Sequence, residues 1–138
     1  MAINKAMKMA LKALSYPDLD IKKNYKLHRA VKSAIHPNLK PSYMIWDHKI
    51  DGTDHEIPVR IFMPKKTYEG RPNRVLVFFH GGGWVTGNID SYSTVCTNMA
   101  DLTGAVVVSV DYRLAPEYRF PCGLQDCYTV TREIFKYS

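Results

Sequence analysis

The 138-residue chain is 46% apolar and 12% aromatic with 23% charged residues, which suits one folded domain and excludes a disordered or low-complexity segment, because there is enough large apolar surface to bury. Its net charge of +6 sits at one end: residues 1–40 carry nine Lys and Arg against two Asp, a local +7, and the remainder is −1. The basicity therefore belongs to one segment and no nucleic-acid partner is expected; no apolar run approaches the roughly 20 residues of a membrane-spanning helix.

Residues 2–14 place Ile3, Met7, Ala10, Leu11 and Leu14 at helical spacing, with Lys5, Lys8 and Lys12 elsewhere around the helix. This predicts an amphipathic helix ending before Pro17. The same lysines interrupt what would be the apolar region of a secretory signal, so a cytoplasmic location is expected. A second helical pattern, Ile21, Tyr25, His28, Val31 and Ile35, begins behind Asp18 or Asp20 as caps and stops at Pro37, and 38–41 reads as a linker. Two basic amphipathic helices can lie on an anionic membrane, but these are short of Trp and Phe, so packing on the rest of the protein is expected instead.

From residue 42 the period changes. Segments 43–50 and 56–63 read as strands on either side of the turn signal Asp51-Gly52-Thr53-Asp54, a hairpin, and 64–73 is a polar loop. Residues 75–79, VLVFF, form an uninterrupted apolar run, the composition of a strand buried on both faces in a parallel sheet. Small and hydroxyl-bearing residues from about 90 to 103 suit a helix capped by Asp90 or Ser91, and 105–110 is a second apolar run. Strand, helix, strand in that order is a βαβ crossover. After a proline-rich loop, 123–137 resumes a helical pattern with Leu124, Tyr128, Thr131 and Phe135 on one face. The three cysteines, Cys96, Cys122 and Cys127, are odd in number and form no C-x-x-C pair, so buried free thiols in a reducing cytosol are expected, with neither a disulfide framework nor a zinc ribbon.

The stretch Phe79-His80-Gly81-Gly82-Gly83-Trp84-Val85-Thr86-Gly87 stands directly at the end of the first apolar run. Ligands of open α/β sheets bind outside the carboxyl ends of strands, so the place suits function. Three consecutive glycines leave no side chains over the backbone, which can turn sharply and point successive N–H groups at one spot, a cradle for an anion or oxyanion. Nucleotide-binding patterns fail on spacing: Gly81, Gly83 and Gly87 give G-x-G-x-x-x-G, and Asn88 follows Gly87 where a P-loop needs Lys. The plain alternative is a tight turn, for which two glycines suffice.

Two motifs, His80-Gly81-Gly82-Gly83-Trp84 and Asp111-Tyr112-Arg113-Leu114-Ala115-Pro116-Glu117 followed by Phe120-Pro121 and Asp126, resemble the hormone-sensitive-lipase-like branch of the α/β-hydrolases, which are carboxylesterases and lipases. The resemblance extends over residues 42–138. It implies the N-terminal portion of an α/β-hydrolase core, a mixed sheet with a βαβ crossover, preceded by a helical cap segment over residues 1–41. It further implies that the N–H groups of Gly82 and Gly83 form the oxyanion hole, supported by His80, Gly81 and Trp84. His80 would position the turn, and Trp84 would pack under the loop or wall the acyl pocket. Asp111, Tyr112, Arg113 and Glu117 would be structural, with Arg113 and Glu117 in one polar cluster that fixes the loop and Asp111 accepting backbone hydrogen bonds. The implied substrate is a small carboxylic ester of short to medium acyl chain, with neither cofactor nor metal.

An ester hydrolase of this branch needs a serine on a G-x-S-x-G elbow, then an acid, then a histidine. The seven serines, Ser15, Ser33, Ser42, Ser91, Ser93, Ser109 and Ser138, all lack flanking glycines, and no His follows His80. The chain is thus expected to stop before the nucleophile elbow, to be inactive alone, and to leave 75–79 as an unpaired apolar edge that self-associates or accepts a complementing chain. Two non-catalytic readings stand beside this one: a small-ligand receptor, as the plant gibberellin receptors are on the same scaffold, and an interaction module using the basic helices.

Overall fold

The computed structural model describes residues 25, 26, 29, 30, 44–65 and 74–136. The helices expected over 2–14 and 21–35 lie outside the described residues, apart from Tyr25, Lys26, Arg29 and Ala30, of which all four are helical. The remainder forms β1 (Ile45–Asp51), β2 (Glu56–Phe62), β3 (Val75–Phe79), α1 (Ile89–Thr103), β4 (Val106–Val110) and α2 (Cys122–Lys136).

The strands make one mixed sheet in the order β1-β2-β4-β3. β1 and β2 are the expected hairpin, antiparallel with Ile45 opposite Phe62 and Asp51 opposite Glu56. β2 then pairs antiparallel with β4 and β4 pairs parallel with β3, Val75 facing Val106 and Phe79 facing Val110. The period of two sorts β2 and β4 onto two cores. Ile57, Val59, Val108 and Val110 join Tyr112 and the α2 residues Cys127 and Val130 on one face, whereas Phe62 and Val107 join Cys96 and Ala100 of α1 on the other. Each fully buried Val, Ile or Phe contributes about 1.5–3 kcal/mol.

Three expectations need correction. The strand covered on both faces is β4; β3 pairs with β4 alone among the described residues, and its ends Val75 and Phe79 are exposed. The cap of α1 is Asn88, not Asp90 or Ser91: Asn88 has extended backbone and its Oδ1 accepts from Ser91 N at 2.9 Å and from Ser91 Oγ at 2.6 Å. In α2 the face that packs is Gly123, Asp126, Cys127, Thr129 and Val130, while Leu124, Tyr128 and Phe135 are 49%, 66% and 74% exposed. Replacing Asn88 by Ala is expected to lower stability by about 1 kcal/mol, read from the denaturant midpoint with an unchanged slope.

Arg60 ties the hairpin to α1. It projects from the α1 face of β2, pairs with Asp47 of β1 through both Nε and Nη2, and reaches Asp90 and Ser93 in the first two turns of α1. The same residues that fix the sheet's helix-covered face thereby fix where α1 begins, and α1 begins where the glycine loop ends.

Candidate functional site

β3 ends at Phe79, and residues 80–87 carry the chain from the carboxyl end of that strand to Asn88. The first anchor is His80, buried and stacked on the Tyr112 ring at 4.3 Å between centroids with 13° between planes. The Tyr112 hydroxyl donates to the His80 carbonyl oxygen. Burial pushes that hydroxyl's pKa up to about 12, so it remains a donor throughout the physiological range. His80 and Tyr112 thus lock the carboxyl ends of β3 and β4 together.

The loop's geometry follows from where its carbonyls go. Gly82 O accepts from Val85 N at 3.2 Å, Thr86 N at 3.0 Å and Thr86 Oγ1 at 3.1 Å. Because a trans peptide sets its C=O and N–H in opposite directions, turning the Gly82 carbonyl into the turn sends the Gly83 N–H out of it. The preceding peptide is arranged alike. Gly81 O lies 3.2 Å from His80 Nδ1 and also faces the α-carbon of Gly87, where an added Cβ would sit 2.5 Å away. The Gly82 N–H is therefore directed away from His80 and Gly87. Among the described residues no acceptor reaches the N–H of Gly82 or of Gly83. Both glycines have positive φ, +142° and +62°, and Gly83 has open space around its α-carbon.

Trp84 also has positive φ, 63°, and its half-exposed ring meets the Tyr112 ring at 4.9 Å. Its carbonyl accepts from Ala115 N at 2.8 Å, which joins the glycine loop to the loop after β4. Trp84, Tyr118, Phe120 and Leu124 border a cavity of about 260 Å³. A second cavity of about 500 Å³ lies between the two loops, lined by Arg29, Asn88, Ser91, Asp111, Tyr112 and Glu117 among others.

The expected single cluster of Arg113 and Glu117 is two separate ones. Arg113 pairs with the buried Asp126 of α2, with Nη2 to Oδ1 at 2.8 Å, and with Asp54 in the hairpin turn at 3.0 Å. His55 approaches Asp126 at 3.5 Å. Glu117 is held instead by Arg29, from the N-terminal helical residues, through two contacts of 3.0 and 3.1 Å. Asp111 accepts from Ile89 N at 3.4 Å. Sequence reasoning missed Arg29, Asp54 and His55. Arg29 is one of nine bases in its segment with nothing to single it out, and Asp54 read as a turn former.

Burial raises the Asp111 carboxyl above its ordinary value, partly offset by His80 and the Ile89 N–H. A carboxyl whose folded-state pKa lies above its unfolded value gains stability as pH falls from the folded-state value towards the unfolded one. Asp111→Asn, which keeps an acceptor for Ile89, is therefore expected to be neutral or mildly stabilising at pH 7, with its advantage over wild type shrinking as the pH falls into the carboxylate range. Denaturant curves at several pH values check this.

Among the described residues no group of three or more His, Cys, Asp or Glu side chains is placed to hold a metal ion, and no helix is long and apolar enough to cross a membrane. The three cysteines form no disulfide; Cys96 and Cys127 are buried and Cys122 is half-buried.

Residues 76–138 match the model of a family described as alpha/beta hydrolase fold. The chain is 35% identical over 113 residues to Esterase LipI of Mycobacterium tuberculosis, covering 82% of this chain and 34% of that protein. It is 41% identical over 83 residues to the Arylesterase of Saccharolobus solfataricus, covering 59% of this chain and 26% of that protein. A solved hyperthermophilic esterase from Pyrobaculum calidifontis superposes with a TM-score of 0.74 at 29% identity, covering 99% of this chain and 44% of that one. The chain thus spans about a third or less of these curated relatives.

Proposed function

Because the chain belongs to the α/β-hydrolase family, we propose that it serves the hydrolysis of a carboxylic ester by supplying the oxyanion hole. The observation that carries this reading is the pair of adjacent N–H groups, on Gly82 and Gly83, that meet no acceptor among the described residues and leave a braced turn at the carboxyl end of a strand. As a nucleophile's oxygen bonds to the ester carbon, the carbonyl π pair moves onto oxygen. Donors already in place stabilise that charge more than they stabilise the ground-state ester. Trp84 and the small apolar cavity beside it suit a short to medium acyl chain. Residues 1–41 act as a cap, a role supported by Arg29 bonding to both site loops. The reaction needs no cofactor or metal, and the three free thiols suit a reducing, cytoplasmic setting.

These 138 residues contain no G-x-S-x-G elbow to carry the serine of such a reaction and no histidine after His80. The test is to compare the intact protein, as its own cells make it, with the 138-residue chain alone. The intact protein is expected to hydrolyse p-nitrophenyl butyrate and to be inactivated by a serine-directed phosphonate, and the chain alone to do neither. Ligand binding without turnover in the intact protein would replace this reading with that of a receptor. The outer side of β3, unpaired among the described residues, adds a physical expectation: alone, the chain self-associates or takes up a complementing chain through that edge. Sedimentation at micromolar concentration is expected to show more than monomer, and a monodisperse monomer would refute it.

A further inference from the structure

Arg29 makes contacts that no motif announces. Its Nε donates to Val85 O at 3.0 Å, its Nη2 to Ala115 O at 3.1 Å, and Nη1 and Nη2 together grip the Glu117 carboxylate. One guanidinium thereby joins the N-terminal helical residues to the glycine loop and to the loop after β4. The planar fork supplies donors in fixed directions, so it can hold two carbonyls and a carboxylate at once, which a lysine ammonium on a flexible stem cannot.

The Val85 contact matters most. The Val85 carbonyl and the Thr86 N–H belong to one peptide unit, with Arg29 holding the first and Gly82 O holding the second. The Gly82 carbonyl in turn shares its peptide unit with the Gly83 N–H, which faces outward because that carbonyl is held inward. We infer that Arg29 is a positioning residue for the Gly83 donor, acting through the 85–86 and 82–83 peptides; the inference rests on the oxyanion reading above for its functional meaning, though not for its geometry. The N-terminal segment would then set the aim of the site and not merely cover it.

Hydrogen–deuterium exchange by mass spectrometry on the 138-residue chain, which tolerates self-association, tests this without any ester. Three variants are compared: Arg29→Met, Arg29→Lys and Glu117→Gln. Loss of the Val85 contact is expected to speed exchange of the Val85 and Thr86 amides about tenfold in both Arg29 variants, with peptides from β2 and β4 unchanged. Glu117→Gln, which removes the ion pair but leaves the Val85 and Ala115 contacts, is expected to retain near wild-type protection in residues 81–88. Wild-type exchange there in the Arg29 variants overturns the inference. So does equal acceleration in Glu117→Gln, because Arg29 would then act only by attaching the helical residues to Glu117. If Arg29→Met also loosens β2 and β4, Arg29→Lys against Glu117→Gln decides by the same criterion. Flat exchange alongside a catalytically crippled Gly82 variant in the intact protein would remove this inference alone; altered exchange in an intact protein that turns over no ester would remove the oxyanion reading alone.

Discussion

Gly82→Ala is expected to destroy the turn that aims the Gly82 and Gly83 N–H groups, and Gly83→Ala, one residue on, to leave it standing. A Cβ on Gly82 would sit 1.7 Å from Thr86 O and 2.5 Å from Thr86 C, backbone atoms that cannot retreat without breaking the bonds Gly82 O accepts. Its φ of +142° is also closed to L residues with a side chain. At Gly83 an added Cβ meets nothing within 4 Å, and φ +62° is the left-handed helical well, where alanine costs about 1–2 kcal/mol. Turnover by the intact protein is expected to fall at least about 10²–10³-fold for Gly82→Ala, the range seen when even a single oxyanion donor is lost, and far less for Gly83→Ala, which keeps the turn and so the aim of both N–H groups. Exchange of the 81–88 peptide should separate the two in the same order, and indistinguishable variants would contradict the account.

Removing the Asp126 carboxylate is expected to be the most destabilising side-chain truncation outside the apolar core. Its side chain is 2% exposed and accepts from the Arg113 backbone N at 2.9 Å as well as from Nε and Nη2. Arg113 is itself only 13% exposed, and its carboxylate partners, Asp126 first, raise its pKa further above an already high ordinary value, so it stays charged. Asp126→Ala leaves that charge buried with one exposed partner, Asp54, at a cost of about 3–5 kcal/mol. That is comparable to the whole stability of many small domains. Asp54→Ala, on the solvent side of the same guanidinium, is expected to cost under about 1 kcal/mol. Urea unfolding of both variants checks the ranking, and a loss below about 1 kcal/mol for Asp126→Ala would contradict it.

The elements were legible in the sequence wherever a periodic apolar pattern met a strong breaker. Residues 75–79 are bounded by a polar loop and by His80-Gly81, and β3 has those bounds. The hairpin register follows from the Asp51–Asp54 turn and the alternation of Ile57, Val59 and Ile61. What the pattern hid was decided by polar contacts between distant segments. The apolar stripe of α2 invites Leu124, Tyr128 and Phe135 inward, yet the helix turns the other way. Asp126 must reach Arg113, and Gly123 lies so close to the Arg113 carbonyl that a Cβ would meet it at 2.6 Å. Asp90 had the right chemistry for a cap, but it serves Arg60, which leaves the cap to Asn88.

The candidate site divides in the same way. Gly82 and Gly83 stand out as glycines, and His80 and Tyr112 as parts of two motifs, before any coordinates. The directions of the N–H groups do not, because they depend on which way each carbonyl turns, and that is settled by Val85, Thr86 and His80. Arg29 depends on a contact spanning 56 positions to Val85 and 88 to Glu117, which local spacing cannot reveal.

The most direct test of the central claim is the split between kcat and KM for p-nitrophenyl butyrate hydrolysis by the intact protein, wild type against Gly82→Ala. A donor that acts on charge developing in the transition state lowers kcat when lost and leaves KM nearly unchanged. The account predicts a fall in kcat of about a hundredfold or more with KM within a few-fold of wild type. An unchanged kcat with a raised KM, or an intact protein that turns over no ester at all, would contradict it.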